Sequence, residues 1–127
     1  FNGGDLSKTY QMTGVFNQVF DIIESAMDAP LDRNSVNSAR FITHLRYLFV
    51  RAHAGEQLHD DLAPLSASIE QTYPDAARSA RRVAEILELR LGAPVTHSET
   101  TYLAMHIARL ASAQRPGGSS LPEENHD

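Results

Sequence analysis

The stretch Arg40–Arg51, RFITHLRYLFVR, decides the fold together with Leu103–Leu110, LAMHIARL, because the two repeat one pattern. They align without gaps as apolar-x-x-His-apolar-x-x-Leu. When each stretch is placed on a helix at about 100° per residue, its apolar side chains form one stripe, and His44 or His106 lies just beyond the stripe edge. The pattern therefore predicts two amphipathic helices, each with an imidazole held between core and solvent.

The rest of the chain predicts an all-α protein, a compact bundle of five helices, because no strand pattern appears. Helix stops are given by Gly55 and Gly92. Thr96-His97-Ser98-Glu99 matches a capping box, which predicts that Glu99 caps the start of the last helix. The predicted helices cover four long segments and one short segment broken near Pro64: residues 9–27, 34–53, 60–72, 74–91 and 96–113.

Length and composition indicate one domain with a real core, since the 127 residues are 42% hydrophobic and 21% charged. Residues 1–8 are predicted to be a disordered lead-in, residues 9–113 the helical bundle, and residues 114–127 a disordered tail. A chain that begins with Phe1 is expected to be cut from a longer protein.

Charge and cysteine content restrict the function classes. The net charge is −5, and the lysines and arginines are interspersed with acids, which argues against direct binding of nucleic acid by this domain. The absence of cysteine excludes disulfides and fits an intracellular, cytoplasmic setting. No apolar run approaches the ~18 residues of a membrane span.

The histidines are the candidate functional residues. Four of the six are predicted to be solvated surface residues: His53, His59, His97 and His126. An imidazole at a core boundary, as predicted for His44 and His106, can act as a base, a metal ligand or a phosphoryl acceptor. The alternative is an amphipathic side chain that covers the core edge. The matched placement in two helices favours function, and both interpretations remain open at this point.

Arginines near the two histidines favour an anion. Arg40 lies one turn before His44, and Arg109 lies three residues after His106. Arg51 lies two turns after His44, ~10.5 Å along the helix axis, so it is expected to act through its field or by orientation. Phosphate on an imidazole would add a charge close to −2, which arginine can hold through charge-assisted hydrogen bonds. The alternative for Arg40 and Arg51 is a solvated helix face.

These motifs together resemble the PRD family, the phosphotransferase-system regulation domain of bacterial transcriptional antiterminators and activators. The resemblance covers residues 15–113. It rests on three groups of residues: His44-Leu45 with Arg51 and Gly55; Tyr73-Pro74-x-Ala76 with the Gly92 stop; and Glu99-x-x-Tyr102-Leu103-Ala104-x-His106-Ile107.

The resemblance implies a five-helix bundle that forms a homodimer and is phosphorylated on His44 and His106, without a cofactor, a metal or enzymatic activity. The implied donors are phosphorylated HPr or a sugar-specific enzyme II component of the phosphotransferase system. Phosphorylation would control dimerisation and hence expression of a sugar operon, and RNA or DNA would be bound only through another domain. If the tail ends the protein, the domain is expected to be the second, C-terminal PRD of an antiterminator.

Two alternatives come from other functional classes. An HD-type metal-dependent phosphohydrolase would use the dipeptide His59-Asp60, together with His44 or His53 and Asp75, as metal ligands. Against this, the dipeptide falls in a predicted loop beside Gly55. The other alternative is a purely structural helical dimerisation module, in which neither boundary histidine would titrate or react unusually.

Overall fold

A computed structural model of the chain describes residues 3–114, with side chains described for residues 12–112. This part contains no strand and forms five helices: α1 (Gly3–Met27), α2 (Val36–His53), α3 (Ala63–Thr72), α4 (Pro74–Leu91) and α5 (His97–Gln114). The prediction of an all-α bundle with four long helices and a short one is confirmed. Among the described helices, none combines the length and the hydrophobicity needed to cross a membrane.

Helix α4 lies at the centre of the bundle, because it packs against each of the other four helices. Its inward face carries small side chains, with Ala76, Ala77 and Ala80 all buried, so neighbouring backbones can approach closely. Larger side chains from the outer helices fill the remaining space. Among them, the rings of Phe20 in α1 and Phe41 in α2 meet edge to face at 5.8 Å.

The ends of α2 follow the local sequence. The Ser35 hydroxyl accepts a hydrogen bond from the Ser38 N–H at 3.1 Å, which satisfies one of the free donors at the helix start. At the other end Gly55 takes a left-handed φ of 70°, and the Glu56 N–H donates to the Arg51 carbonyl at 2.7 Å. The predicted stop at Gly55 is confirmed, and α2 is fixed in length on both sides of His44.

Proline and glycine set the limits of α3 and α4. The prediction that Pro64 breaks a helix begun near Asp60 was wrong, because α3 begins at Ala63 with Pro64 in its first turn. A proline there loses no helical hydrogen bond, since the first N–H groups have no partner within the helix. Pro74 starts α4 in the same way, and Gly92 ends it with φ 71°, both as predicted.

Helix α1 begins earlier in the chain than its apolar spacing predicts. It starts at Gly3 rather than near Thr9. No proline interrupts residues 3–8, so a helix nucleated by the buried stripe of α1 can extend through them. Helix α5 ends at Gln114. The remainder of the predicted tail, residues 115–127, lies outside the described residues.

Candidate functional site

Helices α2 and α5 place His44 and His106 face to face. Their imidazole rings stack, with centroids 3.7 Å apart and ring planes inclined by 22°. Both side chains are half-buried, and the residues that follow them, Leu45 and Ile107, are 0% exposed. The predicted location at the edge of the core is confirmed for both histidines. Their direct contact was not predicted, because it depends on how two distant helices pack.

The two helices run in opposite directions past the histidine pair. The C-terminal part of α2 therefore meets the N-terminal part of α5, where Arg51 binds Glu99. The opposite ends also meet, because Arg40 of α2 and Arg109 of α5 line one small recess together with His106. The histidine pair thus has the ion pair of Arg51 and Glu99 on one side and the two arginines Arg40 and Arg109 on the other.

The ion pair between Arg51 and Glu99 is bidentate. The Arg51 Nε and Nη2 atoms donate to Glu99 at 2.8 and 2.7 Å, and the Leu58 N–H donates to the same carboxylate at 3.0 Å. The Glu99 side chain is 1% exposed and that of Arg51 is 30% exposed. The hydrogen bonds that Arg51 donates to Glu99 raise the pKa of Arg51, so its guanidinium stays charged.

This pairing corrects the prediction for Glu99. Only half of the capping box forms. In that half the Thr96 hydroxyl accepts a hydrogen bond from the Glu99 N–H at 3.2 Å. The Glu99 carboxylate does not return to the Thr96 N–H, which donates instead to the Gln57 side chain at 2.9 Å. Burial explains the difference, since a carboxylate at this position is shielded from water and needs an opposite charge. Arg51 is likewise not the freely solvated residue of the alternative interpretation.

The loop between α2 and α3 is fastened to the start of α5. The Thr96 hydroxyl donates to the Leu58 carbonyl at 2.6 Å, and the Ser98 hydroxyl donates to the Asp60 carbonyl at 3.0 Å. The Gln57 side chain donates to the Pro94 carbonyl at 2.8 Å. With the contact from Leu58 to Glu99, these bonds hold the Arg51 end of the site in a single arrangement.

Arg40 and Arg109 carry charges that no acid among the described side chains neutralises. Both side chains are exposed, and within residues 12–112 neither forms an ion pair. They lie around the recess that also includes Asn37 and His106, and no acidic residue lines it. Two cations that converge without an acid repel each other, and an anion bound between them would relieve the repulsion. This is the side of the site whose charges favour an anion.

The surroundings keep both imidazoles neutral. Burial lowers the pKa of His106 to about 4, with smaller contributions from the charges of His44 and Arg109. Burial also lowers the pKa of His44, followed by the charges of Arg109, Arg51 and Arg40. A neutral imidazole keeps a lone pair on one ring nitrogen, so both rings are nucleophiles at pH 7.

An open cleft gives access to the pair. It has a volume of about 300 Å³, and His44 and His106 line it together with Arg51, Glu99 and Tyr102. Its remaining lining is largely apolar, including Leu48, Leu103 and Met105. His106 also lines the recess of Arg40 and Arg109, so this imidazole lies between the cleft and the two free cations.

The other histidines are separate from this site. His53, His59 and His97 are exposed, as predicted, and His126 lies outside the described residues. His59 and Asp60 lie in the loop before α3, also as predicted. In the described part of the chain, no three His, Asp or Glu side chains converge to hold a metal ion. The geometry therefore gives no support to the HD-type phosphohydrolase.

Comparison with known proteins agrees with this architecture. A family model described as PRD domain matches residues 17–110. The chain is 28% identical over 107 residues to the PtsGHI operon antiterminator of Bacillus subtilis (strain 168). It is 31% identical over 111 residues to Protein GlcT of Staphylococcus aureus (strains JH9 and Newman). Each alignment covers 84% of this chain and 38% of the relative. No solved structure matches the chain.

The family match covers most of the chain and includes both helices of the histidine pair, together with Arg40, Arg51 and Arg109. The relatives are more than twice as long as the matched region, since it spans 38% of their length. The five-helix architecture and the match over residues 17–110 lead to one conclusion. The chain belongs to the PRD domain family.

Proposed function

We propose that His44 and His106 are phosphorylation sites through which the bacterial sugar phosphotransferase system regulates this domain. The observation that carries the proposal is the stacked pair of neutral, half-buried imidazoles beside Arg40 and Arg109, which form no ion pair within residues 12–112. Packing alone explains a histidine at a core edge. It does not explain two cations gathered at the same place without an acid.

The chemistry is transfer of a phosphoryl group from a phosphohistidine of the donor protein. The unprotonated ring nitrogen of His44 or His106 attacks phosphorus, and the donor's N–P bond breaks. The donor imidazole keeps the bonding pair and takes up a proton, while the accepting ring releases its N–H proton. The product carries a charge close to −2, which Arg40 and Arg109 would hold by charge-assisted hydrogen bonds.

The proposed donors are phosphorylated HPr, an enzyme II component of the phosphotransferase system, or both. The support is the family and the names of the relatives, one of which is the PtsGHI operon antiterminator. By this proposal the domain is the regulatory part of a cytoplasmic antiterminator or activator of a sugar operon, and it is not itself an enzyme. RNA or DNA would be bound by another domain of the full-length protein.

The proposed output is a change in homodimerisation. The outward face of α2 carries three large exposed apolar side chains: Val36 at 72%, Tyr47 at 58% and Val50 at 62% exposure. Their spacing puts them on one side of the helix, with Arg40 on the same side and His44 at its edge, turned toward α5. A second copy of the domain could cover this face, and a phosphate at its edge would change the charge of the contact.

The test is phosphotransfer from phosphoenolpyruvate through enzyme I and HPr, with and without enzyme II components, followed by intact-mass analysis at alkaline pH. The expected result is an acid-labile gain of ~80 Da, the mass of a phosphoryl group. His44→Ala and His106→Ala should each retain phosphorylation, and the double variant should lose it. His53→Ala is the matched control on α2, and it should behave as the unchanged protein.

A double variant that still gains the mass, or no gain with any donor, would contradict the proposed sites. Light scattering on the same samples tests the output, since phosphorylation should change the fraction of dimer. Tyr47→Lys should also reduce dimerisation, because it places a charge in the apolar face of α2. A purely structural dimerisation module would dimerise to the same extent with and without phosphoryl donors.

A further inference from the structure

We propose that the stacked pair of His44 and His106 accepts only one phosphoryl group at a time. The domain would then never carry phosphoryl groups on both histidines together. The inference rests on the proposed function, because it concerns how the same two side chains share a phosphoryl group. It follows from three features of the site: the ring stack, the number of unpaired arginines, and the capture of Arg51 by Glu99.

The ring stack places the two acceptors too close for independent occupation. With centroids 3.7 Å apart and planes inclined by 22°, each ring covers one face of the other. A phosphoryl group bonded to either ring lies near the plane of that ring, within a few ångströms of the second imidazole. A second dianion at such a distance would meet strong repulsion in this half-buried environment.

The available positive charge matches a single phosphoryl group. Arg40 and Arg109 provide two positive charges, and within residues 12–112 neither is paired with an acid. One phosphoryl group brings a charge close to −2, which these two guanidinium groups balance. A second group would bring the same charge again, and no further unpaired cation lines the recess.

Glu99 neutralises the third nearby arginine, Arg51, so its charge is not available to a second phosphoryl group. Arg51 also lines the cleft of the histidines, yet its Nε and Nη2 atoms both donate to the Glu99 carboxylate. Glu99 is 1% exposed and accepts a further bond from the Leu58 N–H. Release of Arg51 toward a phosphate would leave a buried carboxylate without its countercharge, which is unfavourable. Glu99 therefore sets the number of phosphoryl groups that the site can hold.

The stack also prevents direct transfer between the two rings. In-line displacement at phosphorus needs the attacking lone pair to point along the N–P bond that breaks. The lone pairs of imidazole lie in the ring plane, and the planes of His44 and His106 are inclined by only 22°. A phosphoryl group therefore stays on the ring that received it, and its position records which ring the donor reached.

The test counts phosphoryl groups with a donor that needs no partner protein. The full chain, with its other four histidines changed to Gln (H53Q, H59Q, H97Q and H126Q), is treated with excess phosphoramidate and measured by intact mass at alkaline pH. The expected result is one gain of ~80 Da, with about tenfold less doubly phosphorylated protein than two independent sites would give. In the same background H44Q and H106Q should each still accept one group, and H44Q/H106Q none.

A doubly phosphorylated form at the level of independent sites would overturn the proposal. A Glu99→Gln variant provides the second measurement, because it keeps a polar side chain and frees the charge of Arg51. It should raise the doubly phosphorylated fraction, whereas the control Glu56→Gln, an exposed acid in the loop after α2, should not. No rise with Glu99→Gln would overturn the charge argument and with it the role of Glu99.

The same experiment separates this inference from the proposed function. One phosphoryl group from phosphoramidate, but none from phosphoenolpyruvate through enzyme I and HPr or enzyme II, would reject the proposed donors. It would leave the proposal that only one histidine is phosphorylated at a time intact. Two gains with either type of donor would reject exclusion and retain phosphorylation. No gain on His44 or His106 with any donor would reject both.

Discussion

The two sides of the histidine pair use arginine in opposite ways. On one side Arg51 is neutralised by Glu99, a side chain that is 1% exposed and that also binds the Leu58 N–H. On the other side Arg40 and Arg109 line a recess that contains no acid. The same residue type, contributed by the same antiparallel helices, is thus committed to the fold on one side and free for a ligand on the other.

The difference shows how a countercharge decides what an arginine can do. A guanidinium bound in bidentate fashion to a buried carboxylate is expensive to release, so Arg51 acts on His44 through its field. An exposed guanidinium without a countercharge gains by binding an anion. The Arg51 side should therefore control stability, and the side of Arg40 and Arg109 should control the phosphorylated state.

The largest expected effect is on stability, at Glu99. Glu99→Ala leaves the Arg51 guanidinium and the Leu58 N–H without their acceptor in a largely buried place. We expect a loss of about 2–3 kcal/mol in the free energy of unfolding, less than for a fully buried pair because Arg51 can regain water. Equilibrium unfolding in urea measures this loss of free energy. Glu56→Ala, which removes an exposed acid, should change the value by less than about 0.5 kcal/mol.

The next effect is on the pH dependence of stability. The pKa of His106 is about 4 in the folded protein, below the ~6.5 of an unfolded chain, so the unfolded state binds more protons between these values. Stability should therefore fall as the pH drops from ~6.5 to ~4. After allowance for partial solvent exposure, His106 should account for about 1–2 kcal/mol of this fall.

The difference between the unchanged protein and His106→Gln, measured by urea unfolding at pH 7 and pH 4.5, isolates this contribution. The variant should lose less stability on acidification, since Gln does not titrate. The pKa of His44 is lowered in the same direction, so His44→Gln should also reduce the loss. Equal losses in all three proteins would contradict the assignment of neutral imidazoles.

The smallest expected effect on stability is at the free arginines. Arg40→Ala and Arg109→Ala should each change the free energy of unfolding by less than about 0.5 kcal/mol, because neither removes an ion pair and each relieves a repulsion. Both should nevertheless lower the yield of phosphorylated protein. A large loss of stability with unchanged phosphorylation would reverse the proposed contrast between the two sides.

The same two variants sharpen the contrast by NMR titration of the histidines. Removal of a positive charge near an imidazole raises the pKa of that imidazole. Arg109→Ala should raise the pKa of both His44 and His106, since its charge acts on both, and it should affect His44 more than Arg40→Ala does. A shift of the opposite sign would contradict the electrostatic account of the site.

Much of the fold could be predicted because it depends on local patterns. Apolar spacing located the long helices, and Pro74, Gly55 and Gly92 marked their limits. These signals act within a few residues and so survive without tertiary information. The start of α1 was missed because no local signal separates residues 3–8 from the helix that follows them.

The site was predicted only in part, because its key contacts join distant segments. His44 and His106 were identified from their placement, but their stacking requires α2 and α5 to pack antiparallel. The pair of Arg51 and Glu99 was missed, since the local capping box offered Glu99 a sufficient explanation. One signal was available: Arg51 lies seven residues after His44, and Glu99 seven before His106. In antiparallel helices this symmetry brings the two charges together.

The most direct test of the central claim is to locate the phosphoryl group by tandem mass spectrometry at alkaline pH, after transfer from phosphoenolpyruvate through enzyme I and HPr or enzyme II. The account predicts phosphate on His44 or His106, the half-buried neutral pair, and none on the exposed residues His53, His59 and His97. Phosphate confined to those exposed histidines would contradict it, because accessibility alone would then decide the site.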